Sequence, residues 1–346
     1  MSERPIAYVM EQTLGSVTHY LNLRGAESVL NGGPRRWLPI EYHSGRLPWT
    51  LPGSLSARRA LKSVLDDIDG IFIHTMTLAP ASIDYFSRKP AVLSGDATPL
   101  AKRMMRSAYG LKPQGRVAEL VKREVYRNVF RRATGFVAWS NWARRSFIDD
   151  YGCREVDVAL IPPGVDLDLF APGDRDHEKP RLLFVGGDFV RKGGDLLLDV
   201  FRKRLADRAE LLLVTNAKVR EQPGVTVLCN VAANSPELRN LYATSDIFVL
   251  PTRADCYSLV CMEALAAGLP LVTTRVGGIP DLVRESETGY TVPVDGEQAL
   301  GDALCTLVDD ADRRREMSIA CRADAVRRFS ARENARTLFE FVRSRC

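Results

Sequence analysis

Short, unbroken apolar runs alternate along this chain with longer amphipathic stretches, and that alternation restricts the fold more than any other feature. Pro5–Met10, Gly70–His74, Ala91–Ser94 and Gly135–Trp139 lack polar alternation, so each reads as a strand buried on both faces. Between them, Ser16–Leu30, Ser54–Asp67 and Val117–Arg132 carry helical periodicity. Strand–helix–strand repetition predicts a parallel sheet with helices on both faces, the α/β class. A second series has strands at Arg181–Val185, Leu211–Thr215, Val225–Cys229, Asp246–Leu250 and Leu271–Thr274. Its helices are Asp195–Arg204, Pro236–Thr244 and Leu259–Ala267, and Ala311–Cys346 reads as long and helical. A loop rich in Pro, Gly and Asp, residues 162–180, separates the two series and is the expected linker. At 346 residues the chain is long enough for two domains. The expectation is two doubly wound domains facing across a cleft, with ligand bound at the carboxyl ends of the strands.

Charge is unevenly spread. Residues 1–160 carry 23 Lys and Arg against 15 Asp and Glu, and the remainder carries 25 against 28. A basic first half suits an anionic partner: nucleic acid, a membrane surface or a phosphorylated ligand. Ten cations between Lys102 and Arg132, among them Lys112, interleave with Met104, Met105, Tyr109, Leu111 and Val117. They read equally as a solvated helix face or as a surface for an anionic acceptor or membrane. Seven scattered cysteines form no C-x-x-C pair, which argues against a disulfide framework or a zinc site and favours a reducing compartment. The polar N-terminus is unlike a signal peptide, and no apolar run is long enough to span a bilayer.

Three segments carry chemistry. In Val185-Gly186-Gly187-Asp188-Phe189-Val190-Arg191-Lys192-Gly193-Gly194 a strand ends in two glycines, two cations follow, and two more glycines open a helix. Glycines admit a ligand close to the backbone, and helix-start N–H groups with Arg191 and Lys192 would hold a phosphate. A tight turn with solvated charges is an equal reading. In the second segment, strand Asp246–Leu250 leads to Asp255, Tyr257, an N-cap at Ser258 and an apolar helix from Leu259 to the Gly268–Pro270 stop. Glu263 lies inside that helix, where a carboxylate needs a partner: a ribose diol, an Arg or a backbone group. The third, Trp139-Ser140-Asn141-Trp142 through Tyr151-Gly152 to Ile161-Pro-Pro-Gly-Val-Asp166, reads as strand, helix and rigid turn, with the tryptophans in the core.

Together these segments resemble the family-four group of retaining, nucleotide-sugar-dependent glycosyltransferases, which have two Rossmann-like domains (GT-B). The likeness is strongest from Gly135 to Glu285. It rests on Ser140…Tyr151-Gly152…Ile161–Asp166…Phe170, on Met262–Pro270, and on Gly277-Gly278-Ile279-Pro280-Asp281. The resemblance implies an N-terminal acceptor-side domain over 1–165, a donor domain over 166–328, and a C-terminal helix, 329–346, crossing back to the first. It implies that Arg191 and Lys192 grip a donor diphosphate beside Gly186 and Gly187, and that Glu263 holds the ribose. Asp255, with backbone N–H groups around Tyr257, Ser258 and Leu259, would hold the sugar and its β-phosphate, and Gly15 would close over the donor. The donor would be a UDP- or GDP-sugar used as co-substrate, with no cofactor and no metal.

The chain departs from that pattern in places. Asp255 stands where the family usually has Glu, and Gly187 where many members have Arg. Asp96 occupies the fourth-strand position at which a His is common, and His74 closes the preceding strand. Asp96 is therefore read as a catalytic carboxylate or a turn cap, and His74 as a substrate contact or a structural residue. The acceptor is open: a glycan, a lipid-linked or a small molecule, but not nucleic acid. The expected location is cytoplasmic, with peripheral contact at the inner membrane face. A nucleotide-sugar epimerase or phosphorylase, or a non-catalytic sugar-nucleotide-binding protein, are the alternatives.

Overall fold

The computed structural model describes residues 4–13, 15–27, 30, 33–42, 50–110, 115–220 and 222–346. Ser28 and Val29 of the first helical stretch, and Leu111 and Lys112 of the basic segment, lie outside them. The chain divides into two compact units, Met1–Gly164 with Ala331–Cys346, and Val165–Ser330.

The first unit runs β1 (Ile6–Glu11), α1 (Gly15–Glu27), β2 (Arg35–Ile40), α2 (Thr50–Lys62), β3 (Gly70–His74), β4 (Ala91–Gly95), α3 (Pro99–Arg103), α4 (Arg116–Arg132), β5 (Gly135–Ala138), α5 (Asn141–Arg145) and β6 (Val158–Leu160). Its six strands are parallel in the order β2-β1-β3-β4-β5-β6. The apolar runs are continuous because alternate residues enter different cores. Ile71, Ile73, Leu93 and Phe136 pack with Leu61 of α2 and Val129 and Phe130 of α4 on one face. Tyr8, Phe72, Val92 and Val137 pack on the other.

The second unit runs β7 (Arg181–Val185), α6 (Gly194–Arg204), β8 (Glu210–Val214), β9 (Val225–Leu228), α7 (Pro236–Thr244), β10 (Ile247–Leu250), α8 (Leu259–Ala266), β11 (Leu271–Thr274), β12 (Gly289–Val292), α9 (Glu297–Asp309) and α10 (Ala311–Arg328). Its strand order, β12-β11-β10-β7-β8-β9, is that of a dinucleotide-binding sheet. The last helix, α11 (Ala331–Arg345), belongs to the first unit, where Leu338, Phe339 and Val342 join the second core.

The stretch Ala311–Cys346, read as long and helical, is two helices, α10 and α11. Phe329 leaves the helix with φ −124° and ψ 18° and is fully buried. Its carbonyl accepts from Val165 N–H at 2.7 Å, and Ser330 bridges to Val165, so tertiary bonds replace the helical ones. Three strands escaped the sequence reading, β2, β6 and β12, and each lies at a sheet edge.

Candidate functional site

In both sheets the strand order reverses beside the first strand, between β1 and β3 and between β7 and β10. Loops leaving the carboxyl ends of such a pair diverge to opposite faces and leave a crevice. In the second unit these are the two glycine- and charge-bearing loops.

The loop after β7 is pressed onto the loop after β10. Gly193 has φ +78°, and a Cβ there would lie 2.0 Å from the Pro251 carbonyl oxygen. Both facts exclude other residues. At Gly186 a Cβ would meet the Phe184 ring at 2.8 Å, whereas Gly187 faces open space. Lys192 forms an ion pair with Asp255 across the two loops, and both side chains are largely buried. Arg191 is turned inward: its Nε donates to Asp188 at 2.9 Å and its Nη1 to the Ala254 carbonyl at 2.7 Å. Arg253, which the sequence reading passed over, donates to Asp195 and to Asp295, both at 2.7 Å, and to the Val190 carbonyl. It ties the first loop, the first turn of α6 and Asp295 to the second loop.

Ser258 occupies the N-cap position of α8, but its side chain does not cap the helix. The first-turn N–H groups, with their partial positive charge, thus receive no side-chain oxygen from it and offer a place for an anion. Tyr257 is buried beneath the loop, and burial raises its phenol above the ordinary range. Leu259, partly exposed, opens the helix.

Glu263 is 5% exposed, and among the described residues neither an Arg nor a backbone group partners its carboxylate. It accepts from the Tyr242 hydroxyl of α7 at 2.9 Å. Burial pushes its carboxyl up to about 7, and the Tyr242 bond opposes that shift. Tyr242 gave no sequence signal, since nothing in α7 marks which residue faces α8.

In the first unit, Gly15 is the first residue of α1, and Asp96 follows β4 at its carboxyl end, partly buried. The cap of α3 is Thr98, whose Oγ1 accepts from Ala101 N–H at 3.2 Å. His74, read as a substrate contact or a structural residue, is 1% exposed and stacked on Trp139 at 4.9 Å, with His19 of α1 against the same ring. Burial holds both imidazoles below their usual range, His19 down to about 3. At the β1–β3 switch point sits an unforeseen carboxylate, Glu11, 5% exposed, which accepts from Thr75 Oγ1 at 2.6 Å and from the Tyr42 hydroxyl.

Comparison with known proteins agrees with this architecture. Residues 179–310 match the family model "Glycosyl transferases group 1", and residues 19–169 match "Glycosyltransferase Family 4". Among curated relatives, a D-inositol 3-phosphate glycosyltransferase of Catenulispora acidiphila is 31% identical over 192 residues, 47% of this chain and 46% of that protein. A namesake from Corynebacterium aurimucosum is 30% identical over 215 residues, 54% of this chain and 51% of that protein. The chain spans about half the length of these curated relatives. Sucrose-phosphate synthase of Thermosynechococcus elongatus superposes with a TM-score of 0.77 at 17% identity, covering 99% of both chains. HepE of Anabaena, solved with UDP and glucose, gives 0.75 at 17% identity, covering 99% of this chain and 100% of its own. These likenesses show the fold, and with the two family matches they place the chain among the family-four glycosyltransferases of the GT-B fold.

Proposed function

We propose that this chain transfers a sugar from a nucleotide-diphosphate donor, of UDP or GDP type, to an acceptor hydroxyl with retention, using no resident metal or cofactor. The observation that carries this is the convergence of Lys192, Asp255 and the uncapped start of α8 at the β7–β10 switch point. Lys192 and the α8 N–H groups, with Arg191 fixing the loop, stabilise the departing diphosphate as its charge grows. Backbone at Gly186 and Gly187 lies against it. Asp255, and N–H groups around Tyr257, Ser258 and Leu259, hold the sugar and β-phosphate, and Glu263 takes the ribose hydroxyls beside Tyr242. As the anomeric carbon–oxygen bond to phosphate breaks, the acceptor oxygen bonds that carbon from the same face, and its proton passes to the departing phosphate. Asp96 is the carboxylate proposed to favour positive charge at that carbon, and Gly15 is proposed to let the backbone close over the donor.

The relatives' name specifies a phosphorylated acceptor, and the basic segment from Lys102 to Arg132 is proposed to meet an anionic acceptor or membrane surface, at a cytoplasmic location. Among the described residues no helix is long and apolar enough to cross a membrane. A thermal-shift panel of UDP- and GDP-sugars, followed by NMR of the product's anomeric centre, tests the proposal. A saturating donor stabilises by about 4 kcal/mol at 1,000 times its Kd. No shift with any donor, or a product of inverted configuration, overturns it.

A further inference from the structure

Between α3, the turns that follow it, and α4 lies a cavity of about 610 Å³ in the first unit. Among the described residues its wall carries Arg103, Arg106, Arg116, Lys122 and Arg123 and one carboxylate, Glu119, which pairs with Arg103 at 3.9 Å. Leu100, Met104 and Tyr151 supply apolar lining. Lys122 is half-buried, and burial together with Arg106 and Lys102 holds its ammonium below the ordinary range against the pull of Glu119. The Arg123 Nε is buried with no hydrogen-bond partner among the described residues. Cations gathered around one pocket, with Arg106, Lys122 and Arg123 partly buried and Arg103 and Arg116 exposed, favour an anion there.

Beside the cavity the surface is apolar. Met104 is 82% exposed, and on α4 Val117, Leu120 and Val121 are 75%, 62% and 59% exposed. Val117, Val121 and Val125 follow at helical spacing and form one stripe. A small phosphate ester has no use for such a stripe, whereas a lipid surface meets cations and apolar side chains together.

We propose that this face docks on an anionic phospholipid surface, with one headgroup phosphate seated among Arg106, Lys122 and Arg123 and the Val117–Val125 stripe bedded in the acyl boundary. This rests on the reading of the basic segment above, but not on the transfer reaction. The test is cosedimentation of the full chain with vesicles of phosphatidylcholine, alone or mixed equally with phosphatidylglycerol, at low and high salt. Binding is expected only to the mixed vesicles and is released by salt. Lys122→Ala with Arg123→Ala should weaken it about 25-fold, each cation being worth about fivefold. Leu120→Ser with Val121→Ser, at exposed positions that leave the core intact, should weaken it as well. Absence of wild-type binding, or wild-type affinity in both double variants, overturns the proposal. So does a result in which glycerol phosphate competes fully and the serine variant binds normally, because the site is then for a soluble phosphate. A UDP-glucose thermal shift on the same variants separates this from the donor reading: a retained shift with no vesicle binding removes only the lipid site.

Discussion

Lys192 and Asp255 neutralise each other across two loops, so each position is sensitive to loss of the other. Lys192→Ala should slow transfer by about 10²–10³-fold. Arg191→Ala should act more weakly, because its guanidinium already serves Asp188 and the Ala254 carbonyl. Steady-state kinetics decide this, and wild-type rates in both variants remove the phosphate assignment. Asp96→Asn keeps the shape and loses the charge, so kcat should fall with donor affinity near normal. An unchanged kcat makes Asp96 a turn residue. Glu263 adds a pH signature. Its carboxyl titrates near 7 in the fold against an ordinary 4.5, so the folded state favours the proton. Its stabilising effect is complete below 4.5 and disappears as pH rises through about 7, a change of up to about 3 kcal/mol. His19, lowered from 6.5 to about 3, works in the opposite sense: its contribution holds above 6.5 and is lost on acidification. The slopes oppose each other where those ranges overlap, from about 4.5 to 6.5, so a variant is needed to separate them. Glu263→Gln should gain on the wild type as pH rises from 5 to 8 in thermal melts. A difference in Tm that does not change with pH overturns the titration.

Among the elements, the site's glycines show what was legible and what was not. Gly193 lay inside a readable turn, and the structure adds the reason: a left-handed φ and a carbonyl 2.0 Å from any Cβ. Gly193→Ala should therefore cost more than the roughly 1 kcal/mol of a strained glycine replacement and should loosen the Lys192–Asp255 pairing. Melting temperature and donor Kd should both worsen, and a normal Kd would show that the loop contact does not shape the site. Central strands were legible because burial on both faces makes their sequence continuous. β2 was not, since it is an edge strand with Pro39 and half-buried side chains. Lys192, Asp255 and Glu263 were legible because glycines and an apolar helix frame them. Tyr242, Arg253 and Glu11 were not, because what gives each its place is a partner far along the chain.

For the molecule as a whole, the order of units does not follow the order of residues: α11 returns to the unit that the first 164 residues begin. Sequence showed its helical character, and only packing shows what it holds. Phe339 is 4% exposed, meets Tyr8 edge-on at 5.6 Å, and lies under the Arg35 guanidinium at 3.8 Å. Leu338 and Val342 fill the same core against Phe72, Val92 and Val137. Among the described residues that face of the sheet has α1 and α11 as its helical cover, so α11 supplies a large part of its burial. Phe339→Ala should cost about 3–5 kcal/mol, a large share of the 5–15 kcal/mol typical of a whole domain. Hydrogen exchange gives the sharper measurement, because it locates the loss. Amides of β1, β3, β4 and β5 should lose protection by about two to three and a half powers of ten, as about 1.4 kcal/mol corresponds to tenfold. Unchanged protection in those strands would mean that α11 merely lies on the sheet and does not stabilise it.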